Sequence, residues 1–329
     1  MAQPQLQPRP AQGVVRFYNF LPAGNLFLDE VLKGLSLPQK SLPSKYLYDA
    51  RGCELFEKVS ELPDYHCARA ERAILREHAG EIVKLLGADC QLIEFGAGSS
   101  QTTRMLIEEL QPPLHVLVDI DGEAMKAAAD SLVRQFPWLN IVGVRADYTG
   151  PLTLPEFVGI ALQKKAAYFP GSKLGHFTPE EAIGMLKLAR HLVGAGGTLL
   201  AGVSPSEGKT PSDGYNDAGG VAAEFNLNLL ARINRELGAD FQLRRFGHKC
   251  VRDESMGRME MHVESILAQI VHVGGVRFRF AEGEFIRTEI SCNYSADEFR
   301  ALAQRAGFEH GQTWTDPECL FSVHCLIAV

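Results

Sequence analysis

Gln91-Leu92-Ile93-Glu94-Phe95-Gly96-Ala97-Gly98-Ser99-Ser100 is the stretch from which the architecture can be read. An apolar run of strand length ends in Glu-Phe. Two closely spaced glycines follow, and 102–110 then reads as a helix. Glycine admits unusual dihedrals and lets backbone come close to a ligand. The sixth position of the glycine segment is Gln101, so the dinucleotide pattern G-x-G-x-x-G is incomplete. Upstream, 68–86 has apolar Ile74, Leu75, Ile82, Leu85 and Leu86 at helical spacing. Downstream, strands are expected at 115–121, 139–147, 165–171 and 197–203, with helices over 123–136 and 179–193 between them. Strand and helix alternating over 70–205 predicts an α/β fold, a Rossmann-like doubly wound sheet with ligands beyond the carboxyl ends of its strands.

After 205 that rhythm stops. A polar stretch over 204–220 gives way to a helix at 222–237. Alternation over 241–273 follows, notably Met259-Glu260-Met261-His262-Val263-Glu264-Ser265, and Gly274-Gly275 marks a hairpin. A helix over 296–307 and a strand over 320–329 close the chain. The expected division is a disordered tail (1–13), a doubly wound cofactor-binding domain (61–205 with 296–329) and a second α+β substrate lobe (14–60 with 206–295).

Composition narrows the function. The 329 residues carry 33 Lys plus Arg against 40 Asp plus Glu, a net charge of −7. With no run of basic residues, nucleic acid is not expected as a partner. The seven cysteines include no C-x-x-C pair, and no metal site is expected. Nothing resembles a signal peptide or a membrane span, so the expectation is a cytoplasmic monomer acting on a small molecule.

Acid-x-Gly-x-Gly, here Glu94 to Gly98, resembles the S-adenosylmethionine (SAM) loop of class I methyltransferases. That resemblance gives Glu94 a role at the methionine end of the cofactor. Two further acids end the next strands. Asp119 offers two acceptor oxygens to a ribose diol, with Asp121 as its competitor, and Asp147-Tyr148 falls where that class places an acid near adenine. Each acid alone is as readily a turn residue; three at successive strand ends beside a glycine loop point to a cofactor.

A longer pattern is more specific. It begins with Ser44-Lys45-Tyr46-Leu47-Tyr48-Asp49-Ala50-Arg51-Gly52-Cys53-Glu54-Leu55-Phe56, Leu62-Pro63-Asp64-Tyr65 and Arg69-Ala70-Glu71. Phe169-Pro170-Gly171-Ser172, Phe177-Thr178-Pro179-Glu180-Glu181-Ala182 and Tyr215-Asn216-Asp217-Ala218 follow. Phe225-Asn226, Thr288-Glu289-Ile290-Ser291-Cys292 and Trp314-Thr315-Asp316-Pro317 complete it. Together these resemble the histidine-specific Nα-methyltransferase family of ergothioneine biosynthesis, over about residues 30–329.

The resemblance implies transfer of up to three methyl groups from SAM to free histidine, giving hercynine. It places Glu289 and Ser291 on the imidazole, Tyr65 at the other ring nitrogen and Tyr215 at the substrate carboxylate. Gly171 and Met261 line the substrate pocket. Tyr48 stands at the transferred methyl as the catalytic residue, and Phe56, Gly96, Gly98, Asp119, Asp147 and Tyr148 surround the cofactor. Two departures matter. The family fragment Thr-Ile-Gly-Asn is here Lys173-Leu174-Gly175-His176, and the Tyr that normally follows Tyr65 is His66. His176 is expected to take over the substrate contact of the missing Asn. Two other readings stay open: the same chemistry on another amino acid with an indole or modified imidazole, or a SAM-binding relative without turnover.

Overall fold

The computed structural model describes residues 13–96, 101–156, 164–205 and 212–329. Gly98, nearly all of the expected tail and residues 206–211 of the polar stretch lie outside them. In chain order the first elements are β1 (Val15–Asn19), α1 (Leu26–Leu35), α2 (Ala50–Glu61), α3 (His66–Glu77), α4 (Ala79–Leu86) and β2 (Cys90–Phe95). Next come α5 (Gln101–Leu110), β3 (Leu114–Asp119), α6 (Gly122–Gln135), β4 (Asn140–Arg145), β5 (Lys164–Phe169), α7 (Pro179–Val193) and β6 (Thr198–Val203). The chain then forms α8 (Val221–Leu237), β7 (Phe246–Asp253), β8 (Arg258–Ser265), β9 (Gln269–Val273), β10 (Val276–Phe280) and β11 (Phe285–Cys292). It ends with α9 (Ala296–Arg305), β12 (Phe308–Thr315) and β13 (Ser322–Ala328).

An eight-stranded sheet has the order β1-β4-β3-β2-β5-β6-β13-β12, parallel through β6 and antiparallel after it. β2 and β6 are buried at every position, as continuous apolar strands covered on both faces must be. Leu106, Met125 and Leu132 of α5 and α6 pack on one face together with Ile74 and Ile82. Met185, Leu186 and Phe299 of α7 and α9 cover the other. This is the doubly wound α/β fold expected from the alternation.

Three details differ from the sequence reading. The helix expected over 68–86 is two, because His78 leaves helical geometry at φ −110°, ψ 15° and serves as the cap between them. Residues 15–19, assigned above to the lobe, form an edge strand parallel to β4 with Val15 beside Ile141. β12 was not foreseen: it is an edge strand whose side chains are mostly polar, with a register shift between His310 and Gln312.

Outside this sheet, β11-β8-β7 form a three-stranded antiparallel sheet and β9-β10 a hairpin turning at Gly274-Gly275. A separate apolar cluster joins Val31, Leu47 and Leu55 to Phe225, Leu229, Val263 and Ile286. Residues 31–59 thus share a core with 225–286, although more than 150 positions separate the two segments.

The helical layer and the sheet are tied by a buried acid. Glu71 of α3 is 3% exposed and accepts from Tyr168 Oη (3.1 Å) and from Gly171 N (2.9 Å). Burial pushes its carboxyl up to about 7, against the opposing effect of those hydrogen bonds. The unfolded chain, with an ordinary value near 4.5, loses that proton first. Native stability from this group is therefore full below that value and declines as pH rises towards 7. Glu71→Gln keeps an acceptor for both donors and does not titrate. Its thermal midpoint relative to wild type should rise between pH 5 and pH 8 by on the order of 5 °C; a difference that stays constant across that range would contradict this account.

Candidate active site

At the carboxyl ends of β2 to β5 a cavity of about 1050 Å³ opens between the large sheet and the second apolar cluster. Gly96, Asp119, Asp147 and Tyr148 line it from the sheet side. Tyr48, Phe56 and Tyr65 line it from the N-terminal helices, and Gly171 and His176 from the turn after β5. Tyr215, Met261, Glu289 and Ser291 complete the far wall. With Gly98 outside the described residues, the sequence-derived candidate that is not on the wall is Glu94.

Glu94 is fully buried beneath the glycine turn. Thr103 Oγ1 donates to its Oε1 (2.6 Å), and His115 Nε2 lies 3.0 Å from Oε2. Its side chain is turned to Thr103 of α5 and His115 of β3 and is not on the cavity wall. The alternation of strand side chains between faces explains the difference: Phe95 turns to the opposite side, where it stacks on Phe169 at 4.5 Å.

The competition between Asp119 and Asp121 is resolved by capping. Asp121 Oδ1 accepts from Glu123 N and Ala124 N at the start of α6, and its Oδ2 accepts from Arg232 (2.8 Å). Asp119 accepts from Asp121 N with Oδ1 and faces the cavity. Asp147 is held by Lys45 Nζ (2.6 Å) and by Thr149 Oγ1 (2.6 Å). Burial alone would raise its pKa; Lys45 and Thr149 outweigh that and hold the carboxyl below the usual range, so it is an anion at neutral pH.

A bulge sets the opposite wall. The β11–β8 register shifts between Arg287 and Glu289. Thr288 Oγ1 donates to Asn226 Oδ1 (2.6 Å) and lies 3.0 Å from Met261 O. Glu289, directly opposite Met261, and Ser291 then share one face. Tyr48 Oη donates to Glu289 Oε1 (3.3 Å), and Tyr215 Oη lies 3.5 Å from Ser291 Oγ. Behind Tyr215, His248 Nε2 donates to its carbonyl (2.7 Å) while Nδ1 accepts from Asn226 (2.8 Å). Burial lowers the pKa of His248, so this neutral tautomer suits the network.

Between the two walls stand aromatic rings. Tyr48 meets Phe56 and Phe225 edge-on, each at 5.4 Å, and Tyr65 meets Phe56 and Tyr215 at 6.0 Å. Burial, with Glu289 next in weight, holds the Tyr48 hydroxyl far above its ordinary pKa. Burial does the same for Tyr65 and Tyr215. All three are hydroxyl donors at neutral pH, not phenolates.

The two departures separate cleanly. His66 is buried on α3 with Nε2 at 3.1 Å from Leu320 O, off the cavity wall. It ties α3 to the start of the last strand. His176 is inside the cavity, its Nδ1 2.9 Å from Glu289 Oε1 but out of line for a good hydrogen bond. Several family-pattern residues are architectural. Thr178 and Glu181 form a capping box for α7, and Asp316 closes a turn by accepting from Leu320 N and Phe321 N. Phe225, Asn226, His248 and Lys173, which also face the cavity, were not among the sequence candidates. For Phe225 and Asn226 the family pattern was the available signal, and for Lys173 the departure at 173–176; for His248 there was none.

Comparisons with known proteins give the family. The profile of a family described as "Histidine-specific methyltransferase, SAM-dependent" matches residues 27–328. The chain is 34% identical to the histidine N-alpha-methyltransferase of Mycolicibacterium smegmatis, covering 88% of this chain and 90% of that protein. It is also 34% identical to the enzyme of the same name from Mycobacterium tuberculosis, over 89% and 92%. Ergothioneine biosynthesis protein 1 of Neurospora crassa is 27% identical over 84% of this chain and 32% of its own, longer sequence. With the family profile spanning residues 27–328 and the first two relatives aligned over about nine-tenths of their length, the chain belongs to the SAM-dependent, histidine-specific methyltransferase family.

Proposed function

We propose that this enzyme methylates the α-amino nitrogen of free L-histidine, in up to three rounds, with hercynine as the end product and ergothioneine synthesis as its context. The observation that carries the reading is the shared face of Glu289, Ser291 and Met261. It lies across an aromatic wall from the strand-end acids Asp119 and Asp147, in one cavity.

The residues present fit SAM. Gly96 has φ +78° and a bare backbone, Asp119 presents a carboxylate at the end of β3, and Asp147 is held anionic at the end of β4. When bound, the cofactor supplies an electrophilic methyl group on a sulfonium. In this reading Asp119 accepts from ribose hydroxyls, and Asp147 with Tyr148 holds the adenine end. Glu289 accepts from an imidazole N–H, Ser291 adds a second polar contact, and Tyr215 and His176 face the amino-acid head group. Fixing the amine relative to the methyl donor provides most of the acceleration, since positioning alone is worth several powers of ten.

The amine must be neutral to attack. A peptide α-amino group has a pKa of about 8 and that of a free amino acid is higher, so losing the proton at neutral pH carries a modest cost. The protonated hydroxyls of Tyr48, Tyr65 and Tyr215 can orient the nitrogen but are poor bases. The rings of Tyr48, Phe56 and Phe225 suit a nitrogen that gains positive charge, an attraction of about 0.5–2 kcal/mol. One observation favours the second reading, another N–H heterocycle as substrate. Glu289 already has an imidazole beside it, that of His176.

Three outcomes are expected. Incubation with labelled SAM and a pool of free amino acids should place up to three methyl groups on histidine by mass spectrometry; preferential labelling of another amino acid would transfer the assignment to that substrate. Glu289→Ala should lower kcat/KM for histidine by roughly 10- to 100-fold, the worth of a hydrogen bond to a charged group. An unchanged value would remove the imidazole contact from the mechanism. Tyr48→Phe should slow turnover by no more than about tenfold, because only an orienting hydrogen bond of ordinary strength is lost; loss of all measurable turnover would make the hydroxyl the proton acceptor.

A further inference from the structure

Lys173 opens the short turn Lys173–His176, and its side chain reaches across the cavity to the glycine turn. Nζ donates to Phe95 O (3.1 Å) and Gly96 O (3.3 Å). A methyl group built on Gly96 would come within 1.7 Å of Nζ, so the ammonium rests directly on the bare backbone that a cofactor must touch. Burial pulls its pKa below that of an ordinary lysine, and the negative charges of Asp119, Glu94 and Glu71 act against that pull. None of these three is its contact partner. Among the described residues, no carboxylate oxygen lies within 4 Å of Nζ. Glu94 is engaged by Thr103 and His115, and Glu71 by Tyr168 and Gly171. A cation withdrawn from water and resting on two carbonyls is incompletely compensated.

Of the other cations on the cavity wall, Arg258 and Arg287 pair with Glu260, and Arg72 stands on α3. Lys45 pairs with Glu30 and Asp147, and Arg104 Nη2 donates to Ser131 Oγ (3.0 Å). Asp119 and Asp147 mark the nucleoside end of the cavity, which leaves the amino-acid end of SAM towards Gly96 and Lys173. That end carries one anion, its α-carboxylate, and one ammonium.

We propose that Lys173 is the counter-ion of the cofactor's α-carboxylate. On binding, the Lys173 ammonium leaves the carbonyls of Phe95 and Gly96 and pairs with the incoming carboxylate, and the two carbonyls become acceptors for the cofactor's own ammonium. The lysine thus holds the site in the free enzyme and recognises the ligand in the complex. This role concerns SAM alone and does not depend on which amine is methylated.

The test is calorimetric binding, without turnover, of two probes. One is S-adenosylhomocysteine; the other is S-adenosyl-3-thiopropylamine, which differs from it only by loss of the carboxylate. Wild type should prefer the first by about tenfold or more, the worth of a charge-assisted bond. Lys173→Met should lose that preference by weakening the first probe while leaving the second within about twofold, and Lys173→Arg should restore part of it. Equal affinity of wild type for both probes overturns the proposal, as does a Lys173→Met variant that binds the first probe as tightly as wild type. Equal weakening of both probes by Lys173→Met also overturns it, since that would mark a structural role.

Discussion

The reversal of strand order between β2 and β5 is the constraint on which the site depends. From β2 the chain winds one way to β3 and β4, and from β5 the other way to β6. The segments leaving β2 and β5 diverge, and a crevice opens above their carboxyl ends. Gly96, Asp119 and Asp147 reach that crevice because each ends, or directly follows, one of three adjacent parallel strands. The turn carrying Gly171 and His176 reaches it from the other branch. The same burial that makes these strands continuous forces polar groups inside to find partners. Glu94 Oε1 therefore accepts from Thr103, and Glu71 takes the backbone N–H of Gly171.

The second wall depends on a smaller irregularity. With regular pairing, Glu289 and Ser291 would lie on the same face as Arg287, in the usual two-residue period. The shift between Arg287 and Glu289 sends Thr288 to Asn226 and leaves Glu289 and Ser291 facing the cavity with Met261. Asn226 is the hub that makes this possible. It accepts from Thr288 and donates to His248 Nδ1 and to His262 O, linking α8 to three strands. The wall that carries Glu289 is thus fixed by hydrogen-bonded side chains rather than by loop geometry. Such a support limits the drift of Glu289 relative to the methyl donor.

Much of this was legible in the sequence, for definable reasons. Long apolar strands and strongly periodic helices carry their own signal, so the doubly wound sheet and the acids at 119 and 147 could be placed. Glu94 could not be placed, because its sequence position says that it precedes the glycines but not which face of β2 it occupies. β1 and β12 are edge strands, half-exposed and poor in alternation, and their membership is decided by pairing with β4 and β13. The bulge at Thr288 leaves no mark in composition. His66 looked equivalent to His176 as a departure. One helical position moves it off the cavity, and only the packing of α3 against Leu320 distinguishes the two.

The chain's two distinctive cavity residues lie on one turn. Lys173 points to the cofactor end and His176 to Glu289, and Gly175 between them fits because a side chain there would meet Cys292 O at 2.7 Å. The turn is therefore clamped against β11, the strand that carries Glu289. A cation at one end and an imidazole at the other occupy positions where ligand groups are expected, a carboxylate partner in one case and a heterocycle partner in the other. One four-residue turn therefore joins the two walls of the cavity, through Lys173 on the carbonyls of Phe95 and Gly96 and through His176 beside Glu289.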